Sequence, residues 1–170
     1  MIDKEIEESI NDQINAELYS SYLYLSMAAD FADKGYDGLE QWMRVQAEEE
    51  KDHAMRLYDY LQERGGRVKL EAIEKPKEAW KSPLQAFEEA LEHEKYVTER
   101  INEMADLAEK KKDRATLNML QWFIDEQVEE EDSTENIVNK LKMVKDSPSG
   151  LMMLDNKLGE RPTESVEEEE

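Results

Sequence analysis

Residues 46–54 read QAEEEKDHA and place Glu50 and His53 three positions apart within a long amphipathic segment. Positions i and i+3 share one face of a helix, so both side chains can hold one metal ion from the same side. Glu17 lies 33 residues before Glu50, on the apolar stripe of the preceding segment. A lone carboxylate followed one helix later by a Glu-x-x-His pair indicates half of a dinuclear metal centre.

The second half of the chain repeats this spacing with one change. Glu94 lies 33 residues before Gln127, and Glu130 follows Gln127 at i+3. Helical bundles with a dinuclear iron centre carry one Glu on each of two helices and a Glu-x-x-His pair on each of the other two, so this is a match to a known pattern. Gln127-x-x-Glu130 departs from the pattern, because it replaces the second Glu-x-x-His.

The six candidate ligands share a common depth on the apolar stripes of four predicted helices. The first candidate ligand on each helix (Glu17, Glu50, Glu94 or Gln127) lies about 11 to 14 residues into that helix, which is roughly 17–21 Å from one end. Four carboxylates buried together without partners would each cost several kcal/mol, and two divalent cations would cancel their charge. A protonated or snorkelling Glu would explain any one position, but the repeated spacing favours a metal centre. Oxygen ligands with one imidazole suit iron or manganese and tolerate zinc.

Further glutamates adjoin these positions. Glu49 precedes Glu50, while Glu126 and Glu129 adjoin Gln127 and Glu130. They could form a third, more open cation site, or they could be a solvated acidic face; the residues alone leave both interpretations open.

Two aromatic residues and a second histidine lie near the candidate ligands. Tyr24 follows Glu17 by seven residues, so it lies on the same face and could bond a ligand or give an electron, or simply pack in the core. Trp122 lies about one turn before Gln127, where core packing is the favoured role over redox chemistry. His93 adjoins Glu94 but points about 100° away from it, so we predict that it is not a ligand.

The composition excludes several classes of function. The 170 residues carry a net charge of −21, which disfavours binding to nucleic acid or anionic membranes and attracts cations. The chain has no cysteine, which excludes disulfides and thiolate-ligated metal centres. We see no secretory signal and no apolar run of about 18 residues, so we expect a cytoplasmic protein.

Hydrophobic periodicity predicts four long helices and one short one. The long helices are predicted at about residues 4–33, 39–64, 83–112 and 113–145, and the short one at 151–158. We therefore expect one domain over residues 1–158, followed by an acidic, disordered tail over 159–170.

The segment between the second and third helices decides the topology. Residues 67–81 are long for a loop in a bundle, and when extended they reach about 50 Å. The second helix is about 39 Å long, so the connector can return along its whole length. The sequence thus predicts an all-α fold: a four-helix bundle with one long crossover between helices 2 and 3, plus a short C-terminal fifth helix.

Four stretches carry a resemblance to a known family. They are NDQINAELYSSYLYLSMA at 11–28, WMRVQAEEEKDHAMRLYDYLQERGGRVKL at 42–70, FEEALEHEKYVTERI at 87–101 and LQWFIDEQVEEE at 120–131. Together they resemble the haem-free ferritins of bacteria and archaea, and the similarity covers nearly the whole chain.

The resemblance implies a ferroxidase centre with two iron ions. One ion would be held by Glu17, Glu50 and His53, and the other by Glu50, Glu94 and Glu130, with Gln127 close by. A third site would use Glu49, Glu126, Glu129 and Glu130.

The resemblance also implies a hollow shell of twenty-four identical subunits that oxidises Fe(II) with O2 or H2O2 and stores ferric mineral. Haem-binding relatives carry Met directly after the shared Glu, whereas Lys51 stands there in this chain, so no haem is expected.

Two other hypotheses remain open at this stage. One is a non-storage di-iron oxidase or peroxidase of the rubrerythrin-like type. The missing cysteine-rich electron-transfer module and the missing second Glu-x-x-His stand against it. The other is a purely structural or redesigned bundle without metal chemistry, which unchanged Fe(II) binding after Glu50→Ala would favour.

Overall fold

The structure is a computed structural model that describes residues 2–162 of the chain. It contains five helices in chain order: α1 Lys4–Asp33, α2 Asp37–Glu63, α3 Pro83–Lys110, α4 Arg114–Val144 and α5 Pro148–Leu158. The predicted helices are confirmed to within about three residues at each end. The fifth begins at Pro148 and not at residue 151, because Ser147 accepts a bond from Gly150 N and Pro148 occupies the first helical position.

The helix ends follow from local chemistry. Asp3, Ser82 and Asp113 each accept a hydrogen bond from a backbone N–H in the first turn of α1, α3 and α4. Gly35 and Gly65 follow the C-cap residues of α1 and α2 and take positive φ values of 78° and 73°, a conformation that glycine adopts without steric cost.

Residues 65–81 form the predicted full-length crossover, which lies along α1. Near one end of α1, Asn11 donates to Arg67 O at 3.0 Å and accepts from Lys69 N at 2.7 Å. Near the other end, Ser26 donates to Lys77 O at 2.6 Å. The connector therefore runs in the direction of α1 and returns the chain to the end of the bundle where α2 began.

Two apolar clusters fill the bundle on either side of a polar layer. One cluster, which includes Phe31, Trp42 and Phe87, uses the C-terminal half of α1 and the N-terminal halves of α2 and α3. The other, which includes Ile10 and Leu61, uses the opposite halves of the same helices. The candidate ligands lie between the two clusters on every helix, which confirms their predicted common depth.

The four long helices do not pack equally closely. α1 packs along α2, α3 packs along α4, and α1 also contacts α3. No Cα atom of α2 comes within 8 Å of a Cα atom of α4, two helices that the structure describes in full. The bundle is therefore more open between α2 and α4, which carry Glu50, His53, Gln127 and Glu130, than between α1 and α3. No helix among the described residues is long and apolar enough to span a membrane.

The predicted tail at 159–170 falls partly outside the described residues. Residues 163–170 are not described, whereas residues 159–162 are, and within them Arg161 contacts α2. Whether the tail is disordered stays a prediction.

The short helix α5 docks on the beginning of α2. Tyr36, the N-cap of α2, makes no side-chain capping bond, and Asp155 of α5 supplies one instead by accepting from Leu39 N at 2.8 Å. A Cβ atom on Gly38 would lie 1.7 Å from Asp155 O, so only glycine permits this approach. A carboxylate at a helix N-terminus is also favoured by the helix dipole.

We expect Asp155→Ala to lower the free energy of unfolding by about 1–2 kcal/mol, because α2 loses its only capping side chain among the described residues. Chemical denaturation followed by circular dichroism measures the change. The control is Asn156→Ala, which alters the neighbouring exposed position on α5 and should stay within about 0.5 kcal/mol of the original protein. Equal stability of the two variants would contradict the capping role.

Candidate metal centre

The first half of the centre lies between α1 and α2. Ligand atoms of Glu17, Glu50 and His53 all lie within 4.8 Å of one another, and all three side chains are buried. His53 Nδ1 lies 3.4 Å from Glu50 Oε2. The short turn between α1 and α2 makes the helices antiparallel, which brings the lone Glu17 opposite the i, i+3 pair. Three donors at this spacing can surround one cation.

The second half lies between α3 and α4. Glu94 is fully buried and accepts a hydrogen bond from the Tyr24 hydroxyl. Gln127 Nε2 donates to both the carboxylate and the backbone oxygen of Glu94, each at 3.2 Å. Gln127 thus orients the Glu94 carboxylate. This hydrogen bonding explains the amide side chain at position 127 without requiring that it bind an ion. Glu130 is also buried, and its charge acts on Glu50 of α2 across the gap between α2 and α4.

A cavity of about 490 Å³ opens beside the centre, between α2 and α4. All four glutamates of the predicted third site line it: Glu49, Glu126, Glu129 and Glu130. Ligand atoms of His53, Glu126 and Glu130 lie within 4.8 Å of one another, so a second candidate ligand group shares His53 with the first. Glu129 is exposed and Glu126 is half-buried, which makes this region wetter than the centre itself.

Burial and mutual repulsion hold protons on the carboxyl groups of the metal-free centre. Burial, followed by the charge of Glu50, raises the pKa of Glu17 to about 8. Burial is also the main cause that raises the pKa values of Glu94 and Glu130 to about 7. The pKa of Glu50 is raised well above its usual range by burial and by the charges of Glu94 and Glu130.

One oxygen in this layer is left unsatisfied in a way that a bound cation would relieve. Glu17 Oε2 is buried and has no hydrogen-bond partner among the atoms of residues 2–162. A buried carboxylate oxygen without a partner is costly, because it has lost its water and gained nothing in return. The unpartnered oxygen belongs to the Glu17, Glu50 and His53 group, where a divalent cation would satisfy it.

The sequence interpretation missed two buried glutamines that support the ligands. Gln13 Nε2 donates to Glu17 Oε1 at 2.8 Å. Gln46 Nε2 donates to Glu50 Oε1 at 3.0 Å and to Glu130 Oε2 at 2.8 Å, and so links two helices. Each glutamine lies four residues before a ligand on the same helix face, and this repeated Gln-x-x-x-Glu spacing was visible in the sequence.

The remaining predicted residues take different places. Tyr24 is fully buried, and its contact with Glu94 places it at the centre, not in the apolar packing alone. His93 lies outside both ligand groups found among the described residues, and its Nε2 lies 2.7 Å from Ser20 Oγ. Trp122 lines the cavity and meets the His53 ring edge to face, with the ring centres 5.4 Å apart.

Four long helices with one crossover, enclosing a buried layer of carboxylates and one imidazole, define a helical-bundle protein with a candidate metal centre in its core. The chain belongs to the ferritin-like domain family, whose model matches residues 7–144.

Similarity to known ferritins extends along nearly the whole chain. The bacterial non-heme ferritin of Bacteroides fragilis strain 638R is 40% identical over 161 residues, which span 95% of this chain and 100% of that protein. The open-pore ferritin of the hyperthermophilic archaeon Archaeoglobus fulgidus is 51% identical, with a TM-score of 0.95 over 95% of this chain and 100% of that one. A humanized archaeal ferritin is 48% identical, with a TM-score of 0.96 over 97% of this chain and 100% of that one.

The raised carboxyl pKa values determine how the stability of the metal-free protein depends on pH. A carboxyl group whose pKa is higher when folded binds more protons in the folded state, so stability falls as the pH rises. The loss begins above the ordinary value of 4.5 and is complete only above the folded values, about 7 for Glu94 and Glu130 and about 8 for Glu17.

We therefore expect the free energy of unfolding of the metal-free protein to fall as the pH rises from about 5 to about 8, and to level off above that range. Denaturant titrations at several pH values measure the slope. The double variant Glu17→Gln with Glu94→Gln should flatten it, whereas the matched exposed pair Glu8→Gln with Glu99→Gln should not. A slope that survives the buried double variant would show that other groups cause it.

Proposed function

We propose that this protein is an iron-storage ferroxidase that oxidises Fe(II) at the centre of its helical bundle. The observation that carries the proposal is the buried layer of four carboxylates and His53, in which Glu17 Oε2 has no protein partner within the described chain. Such a layer is stable only when protonated or when positive charge enters it. Similarity to proteins named non-heme ferritin supports iron as the substrate.

The side chains would divide two Fe(II) ions between them. Glu17, Glu50 and His53 hold one ion, and Glu50, Glu94 and Glu130 hold the other, so that Glu50 bridges the pair. Binding expels the protons that the metal-free carboxyl groups share near neutral pH. Gln13 and Gln46 keep the Glu17 and Glu50 carboxylates in position through the hydrogen bonds described above.

The iron pair supplies the redox chemistry, and the protein supplies geometry and charge balance. Two Fe(II) ions give two electrons, which with two protons reduce O2 to H2O2 or reduce H2O2 to two waters. Tyr24 donates a hydrogen bond to Glu94 and so holds this ligand in place beside the iron pair.

The oxidised iron would leave through the acidic cavity between α2 and α4. Glu49, Glu126, Glu129 and Glu130 form a third, more open site there, from which Fe(III) passes to a mineral. Storage needs an enclosed space, and we propose an assembly of twenty-four subunits. Exposed Met143, Met152 and Met153 are 67–84% accessible in the single chain and are available for contacts with other copies. The absence of haem and the cytoplasmic location stay predictions.

Glu50→Ala tests the centre directly. Losing even an indirect partner of a metal ligand costs about 10–100-fold, so we expect the rate of Fe(II) oxidation in air to fall by more than about a hundredfold when the shared ligand is removed. Absorbance of the Fe(III) product measures the rate. Glu48→Ala, two positions away and 68% exposed, is the matched control and should keep the original rate. Unchanged Fe(II) binding by Glu50→Ala would favour a structural bundle without metal chemistry.

Storage is tested by particle mass and iron content. After Fe(II) is added in air, light scattering and elemental analysis should show a particle far heavier than one 19.9 kDa chain, holding many more irons per chain than the three proposed sites can bind. A particle near the mass of one chain with two or three irons would overturn storage. It would leave the rubrerythrin-like oxidase or peroxidase as the better explanation.

A further inference from the structure

A cationic side chain of the protein itself lies in the acidic cavity. The guanidinium of Arg161 forms an ion pair with the Glu49 carboxylate. Its Nη1 donates to Gln46 Oε1 at 2.9 Å, and its central carbon lies 4.4 Å from the centre of the Trp42 ring. The Arg161 side chain is 21% exposed, and these contacts hold it against α2.

The fold positions this arginine through the docking of α5. After α5 ends, Gly159 N donates to Asp155 O at 3.0 Å and Arg161 N donates to Leu158 O at 3.2 Å, so the backbone continues the last turn. The Asp155 carboxylate in turn holds α5 against the start of α2. The segment that joins α5 to Arg161 is therefore short, and backbone hydrogen bonds fix its position.

Arg161 and a cation at the third site would compete for the same carboxylate. Glu49 lines the cavity together with Glu126, Glu129 and Glu130, and Arg161 lines it as well. An arriving cation must displace the guanidinium from Glu49 Oε2, share the carboxylate with it through the other oxygen, or bind with one carboxylate fewer. It is also repelled by a neighbouring positive charge in a partly buried site, where screening by water is reduced.

We propose that Arg161 is a tethered counter-ion that holds Glu49 and sets the affinity of the third cation site. This inference rests on the proposed function, in which that site receives iron from the centre. With the site empty, the guanidinium offsets part of the negative charge of the cavity; with a cation bound, Arg161 releases Glu49. The competition keeps the third site weaker than the central pair, so that an ion passes through the cavity and does not stay there.

The central pair should be affected much less than the third site. Arg161 contacts the centre indirectly, through Gln46, whose amide nitrogen keeps its own bonds to Glu50 and Glu130, and through Glu49, whose charge also acts on Glu130. Arg161→Ala therefore separates the third site from the first two, and it changes no residue that we place among the iron ligands.

The experiment is an anaerobic titration of the whole assembled protein with Zn(II), which has no redox chemistry, followed by calorimetry. We expect two tighter ions and one weaker ion per chain, and we expect Arg161→Ala to tighten the third by about tenfold or more, because a hydrogen-bonded charge pair no longer competes. Arg161→Lys keeps the charge but loses the planar fork, so its effect should be smaller.

Two controls separate the contact from a general change of charge. Lys157→Ala removes one positive charge from α5 at a side chain that is 76% exposed, and it should leave the third affinity unchanged. In a Glu49→Gln background, Arg161→Ala should change the third affinity much less than it does in the original protein.

The outcomes distinguish this inference from the function on which it rests. An unchanged third affinity in Arg161→Ala, an equal effect of Lys157→Ala, or an undiminished effect in the Glu49→Gln background would overturn the role of Arg161 while leaving the ferroxidase intact. Failure of the original protein to bind two ions at the centre would remove both proposals.

Discussion

The central constraint on this structure is the confinement of four carboxylates to one dry layer between two apolar clusters. Glu17, Glu50, Glu94 and Glu130 cannot all be ionised there without compensating charge, since each buried charge without a partner costs several kcal/mol. The protein compensates in part with neutral donors from Gln13, Gln46, Gln127 and Tyr24. The remaining negative charge must be neutralised by protons or cations, and this requirement suits the bundle to binding metal ions.

The unequal spacing of the helices determines where the layer meets water. α1 and α2 pack closely, as do α3 and α4, while α2 and α4 remain farther apart and leave the acidic cavity between them. Glu130 is 7% exposed, whereas its neighbour Glu129 is solvent-exposed at the cavity. Two residues that adjoin on one helix thus belong to two environments. A metal ion is held more tightly in the dry layer, where few water molecules can replace its ligands. It is released more easily from the wetter cavity.

The fifth helix connects the end of the chain to this opening. Its Asp155 replaces the cap that Tyr36 does not supply to α2, and it places Arg161 against Trp42 and Glu49. A segment outside the four-helix bundle thereby stabilises the start of one ligand-bearing helix and adds a positive charge to the cavity. Both effects depend on the close approach of α5 to Gly38, where any larger residue would collide with the Asp155 backbone.

Local rules determined much of this protein from the sequence alone. Helical periodicity and capping residues such as Ser82 and Asp113 determined the helices, because these effects act within a few residues. The length of the connector determined the crossover, and the repeated 33-residue spacing determined which side chains share the polar layer. Tertiary structure decided the rest. The partners of Gln46 lie on two helices, the cap of α2 comes from a residue 116 positions beyond Leu39, and Arg161 finds Glu49 112 positions away. Such contacts depend on how far apart the helices settle and where α5 docks, which no local pattern in the chain encodes.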